Sequence, residues 1–519
     1  MRILRNSWMR EIDRDAIERG GIPSLVLMEN AAHACAACFA DAFPRSEFPT
    51  CLVLAGKGNN GGDGLAIARL LRERGYDVRA LLLYRPEELS PDAKANYDRL
   101  LQAGLSPEPV TSAEQLRAVL ASGRPGAAFL VDAVFGTGLD RPLSSGRIAA
   151  MLEEINASGI PVAAVDIPSG LGEGFAPGDG VHLRARLTAA LHALKWAHFN
   201  PDGNPDCGRL RVLDIGIPRD LEDRDEHYIQ LTEPADFRAL LARRRPVAHK
   251  GDFGHALVVA GSALKPGASI LASYAALRSG AGLCTAAVPP RNRDLAVLAH
   301  PEVMTLPFRK PEEIAGRLDE FTCVLAGPGM GATPHTRGMV SLLLRKTEAP
   351  LILDADALNV LKGRTAMLRR PGGPLVLTPH PGEFSRLCAK AAGDVQRDRL
   401  GLAREFAMEH GVFLVLKGHH TLTVTPEGRV WVNPTGNAGM ATAGSGDVLG
   451  GMIAGFVAQF HREQPLERIL AAAVFLHGYA GDLAVRRVGE MALTAGDILD
   501  CIPGSFLEID GYHSPFLGS

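Results

Sequence analysis

Short apolar segments alternate with longer helical patterns along most of this 519-residue chain. In the first half these segments include Cys51–Ala55, Ala128–Val131 and Val162–Val165, which are apolar at every position. Strands without polar alternation are typical of parallel sheets whose two faces are both covered by helices. The alternation therefore predicts an α/β fold with doubly wound sheets, and it places ligand sites at the carboxyl ends of the strands.

A densely charged stretch from Arg219 to Arg245 interrupts this pattern and shows little apolar periodicity. The alternation restarts at Ala256–Ala260 and continues nearly to the end of the chain. A chain of this length is suited to two large α/β domains. We therefore predict a first domain over residues 1–222, a connection over 223–244 and a second domain over 245–510.

Composition argues against several classes of protein. A formal net charge of -3 gives no reason to expect nucleic acid or an anionic membrane as a partner. The segment Met1–Ser7 lacks the apolar run of a signal peptide, and apolar runs elsewhere are interrupted before the ~20 residues of a membrane span. Eight scattered cysteines favour a reducing, cytoplasmic location. Cys35 and Cys38 form a C-x-x-C pair, but their Ala-rich helical context favours buried small side chains over redox chemistry.

Three loops that follow predicted strands of the first domain contain candidate functional residues. The glycine-rich loop over residues 56–64 precedes a helix, where free N–H groups bind phosphate, although tight turns also need glycine. The other loops begin at Asp132 and Asp166, and such aspartates commonly cap helices or turns. Because the three loops would converge at one edge of the sheet, we predict oxygen ligands for a cation and a carboxylate acid/base there.

The first half also contains a set of longer motifs. They are Leu27–Ala31, N-N-G-G-D-G at Asn59–Gly64, V-D-A-V-F-G-T-G at Val131–Gly138, V-D-I-P-S-G at Val165–Gly170, Lys195, and Asp214–Pro218. With this set the chain resembles the NAD(P)H-hydrate epimerase family over about its first 220 residues. The resemblance implies a Rossmann-like domain that interconverts the R and S hydrates, with Asp166 as acid/base catalyst. It also implies potassium ligands at Asn60, Asp132 and Ser169, and hydrate binding by Asn59, Asn60, Gly61, Gly62, Asp63, Gly136, Thr137, Gly138, Leu139, Asp140, Arg141, Pro142 and Asp166.

The chain departs from this family after Ser169. The family usually has a short acidic segment where this chain has Gly172–Pro177, and the strand that includes Arg184–Thr188 lacks the usual aspartate. The positioning of the substrate is therefore expected to differ. A non-catalytic nucleotide-binding module that regulates the second domain remains the alternative for this half.

The strongest local motif of the chain lies in the second half. A glycine-rich loop ends in Gly444-Ser445-Gly446-Asp447 and opens an apolar helix. Backbone N–H groups at that helix start are suited to stabilise a transferring phosphoryl group, with Asp447 as a base for a substrate hydroxyl. The alternative is a glycine-rich turn in which Asp447 is only a first-turn helix carboxylate.

G-x-G-D before a helix resembles the ribokinase-like fold, and further loops resemble the ADP-dependent NAD(P)H-hydrate dehydratase family over about residues 245–510. These loops are His249–Gly254, Ala260–Ser262, Ser279–Gly282, Gly327–Gly331, Asp354–Asn359, Thr378–Glu383 and Leu416–Gly418. The stretch T-P-H-P-G-E at Thr378–Glu383 separates this family from ordinary sugar kinases.

The resemblance implies that Gly282, Gly329, His380 and Asp447 contact the hydrated cofactor. It implies that the nucleotide, ADP with Mg²⁺, is bound by Lys417, Gly418, His419, His420, Thr421 and Gly446. Two of these residues have simpler explanations, since His380 between prolines would shape a rigid loop and Lys417 would be a solvated charge at a strand end. No further metal ligand is spaced suitably near His419 and His420, so we do not assign them to a metal.

The two halves predict one chemical sequence. Hydroxide is a poor leaving group, and phosphorylation of the hydrate's hydroxyl by ADP would allow phosphate to leave, with AMP as the other product. Such a site acts on the S hydrate alone, and an epimerase on the same chain would supply it from the R hydrate. The alternative for the second domain is a small-molecule kinase that releases a stable phosphoester. The resemblance is also compatible with a homo-oligomer.

Overall fold

Each half of the chain is built around a sheet of mostly parallel strands. The computed structural model describes residues 1–122, 126–175, 178–199, 205–222, 229–370 and 372–512. These residues form two compact units, the first over residues 2–222 and the second over residues 229–512. Both units have the predicted α/β class.

The first unit contains a seven-stranded sheet among its described residues, in the order β4-β3-β2-β5-β6-β7-β9 with neighbours parallel. A separate pair joins β1 and β8. The strands are β1 (Ile3–Leu4), β2 (Thr50–Ala55), β3 (Asp77–Leu82), β4 (Glu108–Pro109), β5 (Ala128–Ala133), β6 (Val162–Val165), β7 (Leu187–Leu191), β8 (Leu194–Lys195) and β9 (Arg209–Leu213). The helices are α1 (Asn6–Glu18), α2 (Ser24–Ala42), α3 (Asn59–Glu73), α4 (Pro91–Gln102), α5 (Ala113–Ser122) and α6 (Arg147–Ser158).

The central strand β2 shows why the apolar runs have no polar alternation. Leu52 and Leu54 belong to the apolar cluster on one face of the sheet. Cys51, Val53 and Ala55 belong to the cluster on the other face. Because helices cover both faces, each position of this strand after Thr50 is buried and apolar.

The second unit contains a ten-stranded sheet among its described residues, in the order β10-β19-β18-β17-β16-β15-β14-β11-β12-β13. Neighbours are parallel except at β18, which is antiparallel to β17 and β19. The strands are β10 (Ile229–Leu231), β11 (His255–Val259), β12 (Leu283–Val288), β13 (Met304–Pro307), β14 (Cys323–Ala326), β15 (Leu351–Leu353), β16 (Leu375–Leu377), β17 (Phe413–Leu416), β18 (Leu422–Val424) and β19 (Val430–Val432).

The helices of the second unit include two long apolar ones near its end. They are α7 (Pro234–Phe237), α8 (Pro266–Arg278), α9 (Arg293–Ala299), α10 (Glu312–Ala315), α11 (Pro334–Lys346), α12 (Asp356–Asn359), α13 (Pro381–Cys388), α14 (Ala392–Arg397), α15 (Arg399–His410), α16 (Ser445–Phe460), α17 (Leu466–Val488) and α18 (Ala495–Leu507). Among the described residues, α17 is the one helix long and apolar enough to cross a membrane, which the sequence had not led us to expect. Most of its apolar window, 83%, is buried inside the protein, as in a core helix.

The predicted connection over 223–244 differs from the structure in its second part. Strand β10 pairs with β19, and Phe237 and Leu240 are buried in the core of the second unit. These few apolar anchors lie among charged side chains and give no periodic pattern, so the sequence did not reveal them. Residues 223–228 lie outside the described residues, as do Ala176 and Pro177 of the segment that departs from the epimerase family.

Candidate active sites

Asp166 of the first unit directly follows β6 and is held in a left-handed backbone conformation, with φ of 67°. Its Oδ1 accepts hydrogen bonds from the Leu191 backbone N–H at 3.0 Å and from Lys195 Nζ at 2.5 Å. The side chain of Lys195 is fully buried, with 0% exposure. One carboxylate oxygen of Asp166 is therefore anchored to the protein, and the other is left for a ligand.

The three loops predicted to converge do meet around Asp166. A Cβ atom placed on Gly136 would lie 3.4 Å from Asn60 Oδ1 and 3.6 Å from Asp166 Oδ2. The Asn60 Nδ2 atom is buried and finds no hydrogen-bond partner in the parts of the chain described. These contacts define a small polar space between Asn60, Gly136 and Asp166.

Asp132 and Ser169 form a second contact between these loops. Asp132 accepts hydrogen bonds from Ser169 Oγ at 2.6 Å and from the Ser169 backbone N–H at 2.7 Å. Burial raises the pKa of Asp132 to about 6, and the bonds from Ser169 counteract that rise. Within the described residues no hydrogen bond joins Asn60 to this pair.

The remaining predicted hydrate-binding residues fall into two groups. Asn59, Thr137 and Asp140 lie in loops fixed by polar contacts, since Asn59 Oδ1 accepts from Ser90 Oγ and Arg10 donates to both Thr137 O and Asp140 Oδ1. Gly138, Asp140 and Arg141 are exposed, Pro142 is half-buried and Leu139 is buried. Gly61 and Gly62 form the other group, and close packing explains why both are glycine. A Cβ on Gly61 would meet Gly56 O, and one on Gly62 would meet Met28 Sδ.

Other buried carboxylates near Asp166 were not singled out as catalytic candidates by the sequence. Burial raises the pKa of Asp13 in α1 to about 6, and the charge of Asp166 adds to this while Lys195 opposes it. Burial, together with the charges of Asp166 and Asp13, raises the pKa of Asp63 well above its usual range. The pairing of β1 with β8, which aligns Leu4 with Lys195, fixes the start of α1 beside Lys195, and no local motif reports that pairing.

The second unit contains a cavity of about 760 Å³ at the ends of its strands. Its lining includes the predicted residues His380, Lys417, Gly418, His419, Thr421 and Gly446. It also includes residues to which the sequence assigned no specific role: Asn433, Thr435 and Asn437, which lie in the motif that leads to Asp447, and His477 of α17. His420 is not among them, since its Nδ1 faces the carbonyl oxygen of Asn433 at 3.1 Å.

Gly444 begins the anion-binding end of this cavity. It has φ of 90° and directly precedes α16. The Ser445 N–H donates to Thr442 O at 3.4 Å, so the N–H groups of Gly446 and Asp447 that follow are the ones suited to bind an anion. Lys417 Nζ lies 3.5 Å from the position of a Cβ on Gly446. A lysine ammonium and a helix N-terminus thus meet at one place, which suits a phosphate group.

Lys417 is held by carboxylates that the sequence did not assign. Its Nζ donates to Asp354 Oδ1 at 2.7 Å and lies 4.0 Å from Glu383 Oε2. Burial would lower the pKa of Lys417, but Asp354 and Glu383 raise it above its usual range. Both carboxylates lie in motifs visible in the sequence, Asp354–Asn359 and Thr378–Glu383. Only the fold shows that both of them face the ammonium group of Lys417.

Asp447 lies in the first turn of α16, beside this lysine. Burial and the neighbouring charge of Asp354 raise the pKa of Asp447 to about 6, while Lys417 lowers it. At neutral pH the carboxylate is therefore mostly ionised and close to the value at which it exchanges a proton readily. This is suited to a general base.

His380, Gly282 and Gly329, which were predicted to contact the hydrate, differ in their positions. His380 caps α13. Its ring Nδ1 accepts a hydrogen bond from the backbone N–H of Gly382 at 3.0 Å, and its backbone N–H donates to Glu383 Oε2 at 2.9 Å. A Cβ on Gly282 would meet Lys250 O, and one on Gly329 would meet Ala268 Cβ. Close packing thus requires both glycines, and neither lines the cavity.

Metal-binding and redox groups are few in the described part of the chain. There, no group of three or more His, Cys, Asp or Glu side chains is arranged to hold a metal ion. Cys35 and Cys38 are free thiols on α2, and burial raises the pKa of both. A raised pKa disfavours the reactive thiolate.

Comparisons with known proteins identify the family of each half of the chain. A family model described as NAD(P)H-hydrate dehydratase matches residues 256–504, and one described as YjeF-related protein N-terminus matches residues 24–197. The bifunctional NAD(P)H-hydrate repair enzyme of Moorella thermoacetica is 40% identical over 515 residues, covering 95% of this chain and 94% of that protein. The chain belongs to the family of bifunctional NAD(P)H-hydrate repair enzymes. This membership confirms the resemblance seen in each half.

Other relatives extend this similarity. The bifunctional NAD(P)H-hydrate repair enzyme of Thermofilum pendens is 37% identical, covering 97% of this chain and 96% of that protein. Among solved structures, the ADP/ATP-dependent NAD(P)H-hydrate dehydratase of Bacillus subtilis is 31% identical. It covers 54% of this chain and 98% of its own, with a TM-score of 0.49.

Proposed function

We propose that this chain restores hydrated NADH and NADPH to their reduced forms through two activities. The first unit interconverts the R and S hydrates, and the second dehydrates the S hydrate at the expense of ADP. The observation that supports this most directly is the meeting of Lys417 with the start of α16 at one end of the 760 Å³ cavity. Asp447 does not itself line the cavity, but it follows Gly446 directly and lies close to Lys417. That arrangement provides a base and an anion site for phosphoryl transfer.

In the proposed dehydration, Asp447 removes the proton of the hydrate's hydroxyl. The hydroxyl oxygen attacks the β-phosphorus of ADP, and AMP leaves. The carbon–oxygen bond then breaks with departure of phosphate, as the ring nitrogen donates its lone pair to form C=N⁺. Loss of a proton from the adjacent ring carbon gives NADH or NADPH. Lys417 and the N–H groups around Gly446 stabilise the charge on the transferring phosphoryl group.

The remaining lining residues are suited to bind the nucleotide. Gly418, His419 and Thr421 belong to the loop between β17 and β18 that opens into the cavity. Bound Mg²⁺ would neutralise charge on the phosphates. We keep His380 as the proposed contact to the hydrate, because it lines the same cavity.

In the first unit, Asp166 Oδ2 is the proposed acid/base atom for epimerisation, since Oδ1 is occupied by Lys195 and Leu191. The start of α3 at residues 59–63 and the loop 136–142 would bind the hydrated dinucleotide. Asn60, Asp132 and Ser169 supply the oxygen atoms that potassium prefers. Asn60 fits this role, because turning its amide places the oxygen where the nitrogen is now buried without a partner. Potassium bound there would attract the anionic dinucleotide.

The free cysteines of the described residues, which include several buried in both units, support a proposed reducing, cytoplasmic location. A homo-oligomer stays a proposal that follows from the family resemblance alone. The reactions proposed for the two units depend neither on the location nor on the oligomeric state.

The recovery of absorbance at the reduced-nicotinamide band tests the proposal. The purified chain is given a mixture of both hydrate epimers, potassium, and either ADP or ATP. Full recovery that depends on nucleotide is the expected result. Recovery that stops at the share of one epimer would contradict the proposed epimerase activity. A persistent phosphoester without recovery of absorbance would favour a small-molecule kinase. Running ADP and ATP in parallel identifies the nucleotide used.

A further inference from the structure

Asp166 is held in a backbone conformation that few non-glycine residues adopt. With φ of 67°, it costs on the order of 1 kcal/mol or more relative to an ordinary conformation. On one side the backbone is fixed by β7, because the Asp166 N–H donates to Ala189 O at 2.9 Å. Its carbonyl oxygen needs a second anchor if the carboxylate is to keep its direction.

His198 supplies that anchor from a short 3₁₀ turn, Trp196–His198, that follows β8. The ring is buried, and its Nε2 lies 2.8 Å from the carbonyl oxygen of Asp166. Its Nδ1 accepts a hydrogen bond of 3.0 Å from the backbone N–H of Lys195. One imidazole thus bonds to the main chains of both Asp166 and Lys195, whose side chains pair at 2.5 Å.

These bonds fix the tautomer of His198. A carbonyl oxygen only accepts, so Nε2 bears the hydrogen, and a backbone N–H only donates, so Nδ1 bears none. Burial, with the nearby charge of Lys195, lowers the pKa of His198 to about 4, so the ring is neutral around pH 7. A neutral buried ring with both nitrogens bonded is a rigid link and not a proton carrier.

We propose that His198 is a positioning residue for epimerisation, which rests on the acid/base role proposed for Asp166. It holds the Asp166 backbone in the left-handed conformation, with Oδ1 on Lys195 and Oδ2 toward Gly136 and Asn60. Without the bond to its carbonyl oxygen, Asp166 relaxes toward an ordinary φ and Oδ2 moves away from the substrate. A displacement of about 1 Å is enough to slow such chemistry about 100-fold.

Amide side chains separate the two bonds of His198. In His198→Gln the amide nitrogen lies near the position of Nε2 and still donates to Asp166 O. In His198→Asn the shorter amide lies near Nδ1, where it keeps the bond to the Lys195 N–H and loses the bond to Asp166. His198→Gln therefore keeps the bond to Asp166, whereas His198→Asn keeps the bond to Lys195.

The test measures kcat and KM for epimerisation of the R hydrate, with dehydration of the S hydrate by the same chain as an internal check of folding and concentration. We expect His198→Asn to lower kcat about 100-fold with KM within about 3-fold, and His198→Gln to stay within about 10-fold of the wild type. Dehydration should be unchanged in both. His182→Asn is the matched control, since His182 bonds to Asp206 at 2.7 Å outside this link.

Three outcomes would overturn the inference: wild-type kcat in His198→Asn, equal losses in both variants, or a rise in KM at constant kcat. Equal losses would mean that the ring only fills space. The role of Asp166 is tested separately by Asp166→Asn. Normal epimerisation by the Asp166→Asn variant would refute the proposed acid/base role of Asp166, whatever the result at His198.

Discussion

Lys417 Nζ donates a hydrogen bond of 2.7 Å to Asp354 Oδ1, and the Asp354 side chain is only 2% exposed. The pair joins the end of β15 to the end of β17. Glu383 lies nearby, 4.0 Å from the same ammonium group. The lysine proposed to bind phosphate is thus also the cation that allows two carboxylates to be buried.

Replacing Lys417 with Met should therefore lower stability as well as nucleotide binding. Breaking one side of a buried ion pair costs about 3 kcal/mol or more, because the remaining charge stays buried without a partner. In the double variant Asp354→Asn/Lys417→Met part of the stability should return, while nucleotide affinity should not. Urea unfolding and calorimetric nucleotide titration measure the two effects. Equal stability of the single and double variants would contradict this account of the pair.

Dehydration should lose activity on the acid side of neutrality. Burial raises the pKa of Asp447 to about 6, so the carboxylate takes up a proton as the pH falls through 6 and can no longer act as a base. We expect kcat to fall about tenfold for each pH unit below about 5.5 and to be level near pH 7.5. Asp447→Asn should lower kcat by about 100-fold or more near pH 7.5, and the difference from the wild type should shrink as the pH falls below about 5.5. A kcat independent of pH between 5 and 8, with chemistry rate-limiting, would exclude Asp447 as the base.

The sequence predicted those parts of the molecule that depend on local patterns. Strands such as Val162–Val165 were predicted at the bounds observed, because unbroken apolar runs report burial on both faces. Motifs also located Asp166, Lys417 and Asp447. Local patterns do not report side chains brought in by distant strand pairing, which is why the partnership of Lys417 with Asp354 and the role of His198 became visible only in the fold.

Asp166→Asn should stop epimerisation and leave dehydration intact. Loss of an acid/base group costs about 100-fold or more in rate, so absorbance recovery from mixed epimers should stop at the share of the S hydrate. The variant also leaves the buried charge of Lys195 without its carboxylate, at a cost of about 3 kcal/mol. The double variant Asp166→Asn/Lys195→Met should be more stable and equally inactive. A non-catalytic regulatory module would instead give the same partial recovery in the wild type and in both variants.

Potassium should stabilise the first unit through Asn60, Asp132 and Ser169. A ligand that binds only the folded state raises the melting temperature, and the rise grows with the logarithm of the ligand concentration above its Kd. We expect a higher melting temperature in potassium chloride than in choline chloride at equal ionic strength. Asp132→Asn should remove most of this difference, whereas Asp98→Asn, a half-exposed partner of Lys94 on α4, should keep it. An unchanged difference in Asp132→Asn would place the cation elsewhere.

Gly136→Ala should weaken hydrate binding without disturbing the fold. The added methyl would lie 3.4 Å from Asn60 Oδ1 and 3.6 Å from Asp166 Oδ2, which are ordinary contact distances. Gly136 is not among the residues with positive φ, so alanine adopts its backbone without strain, and stability should be unchanged or raised by about 0.5 kcal/mol. The methyl would nevertheless occupy the space between Asn60 and Asp166, where the substrate must enter. KM for epimerisation should rise about tenfold or more, with dehydration of the S hydrate as the internal control; an unchanged KM would mean that the hydrate does not enter between these two side chains.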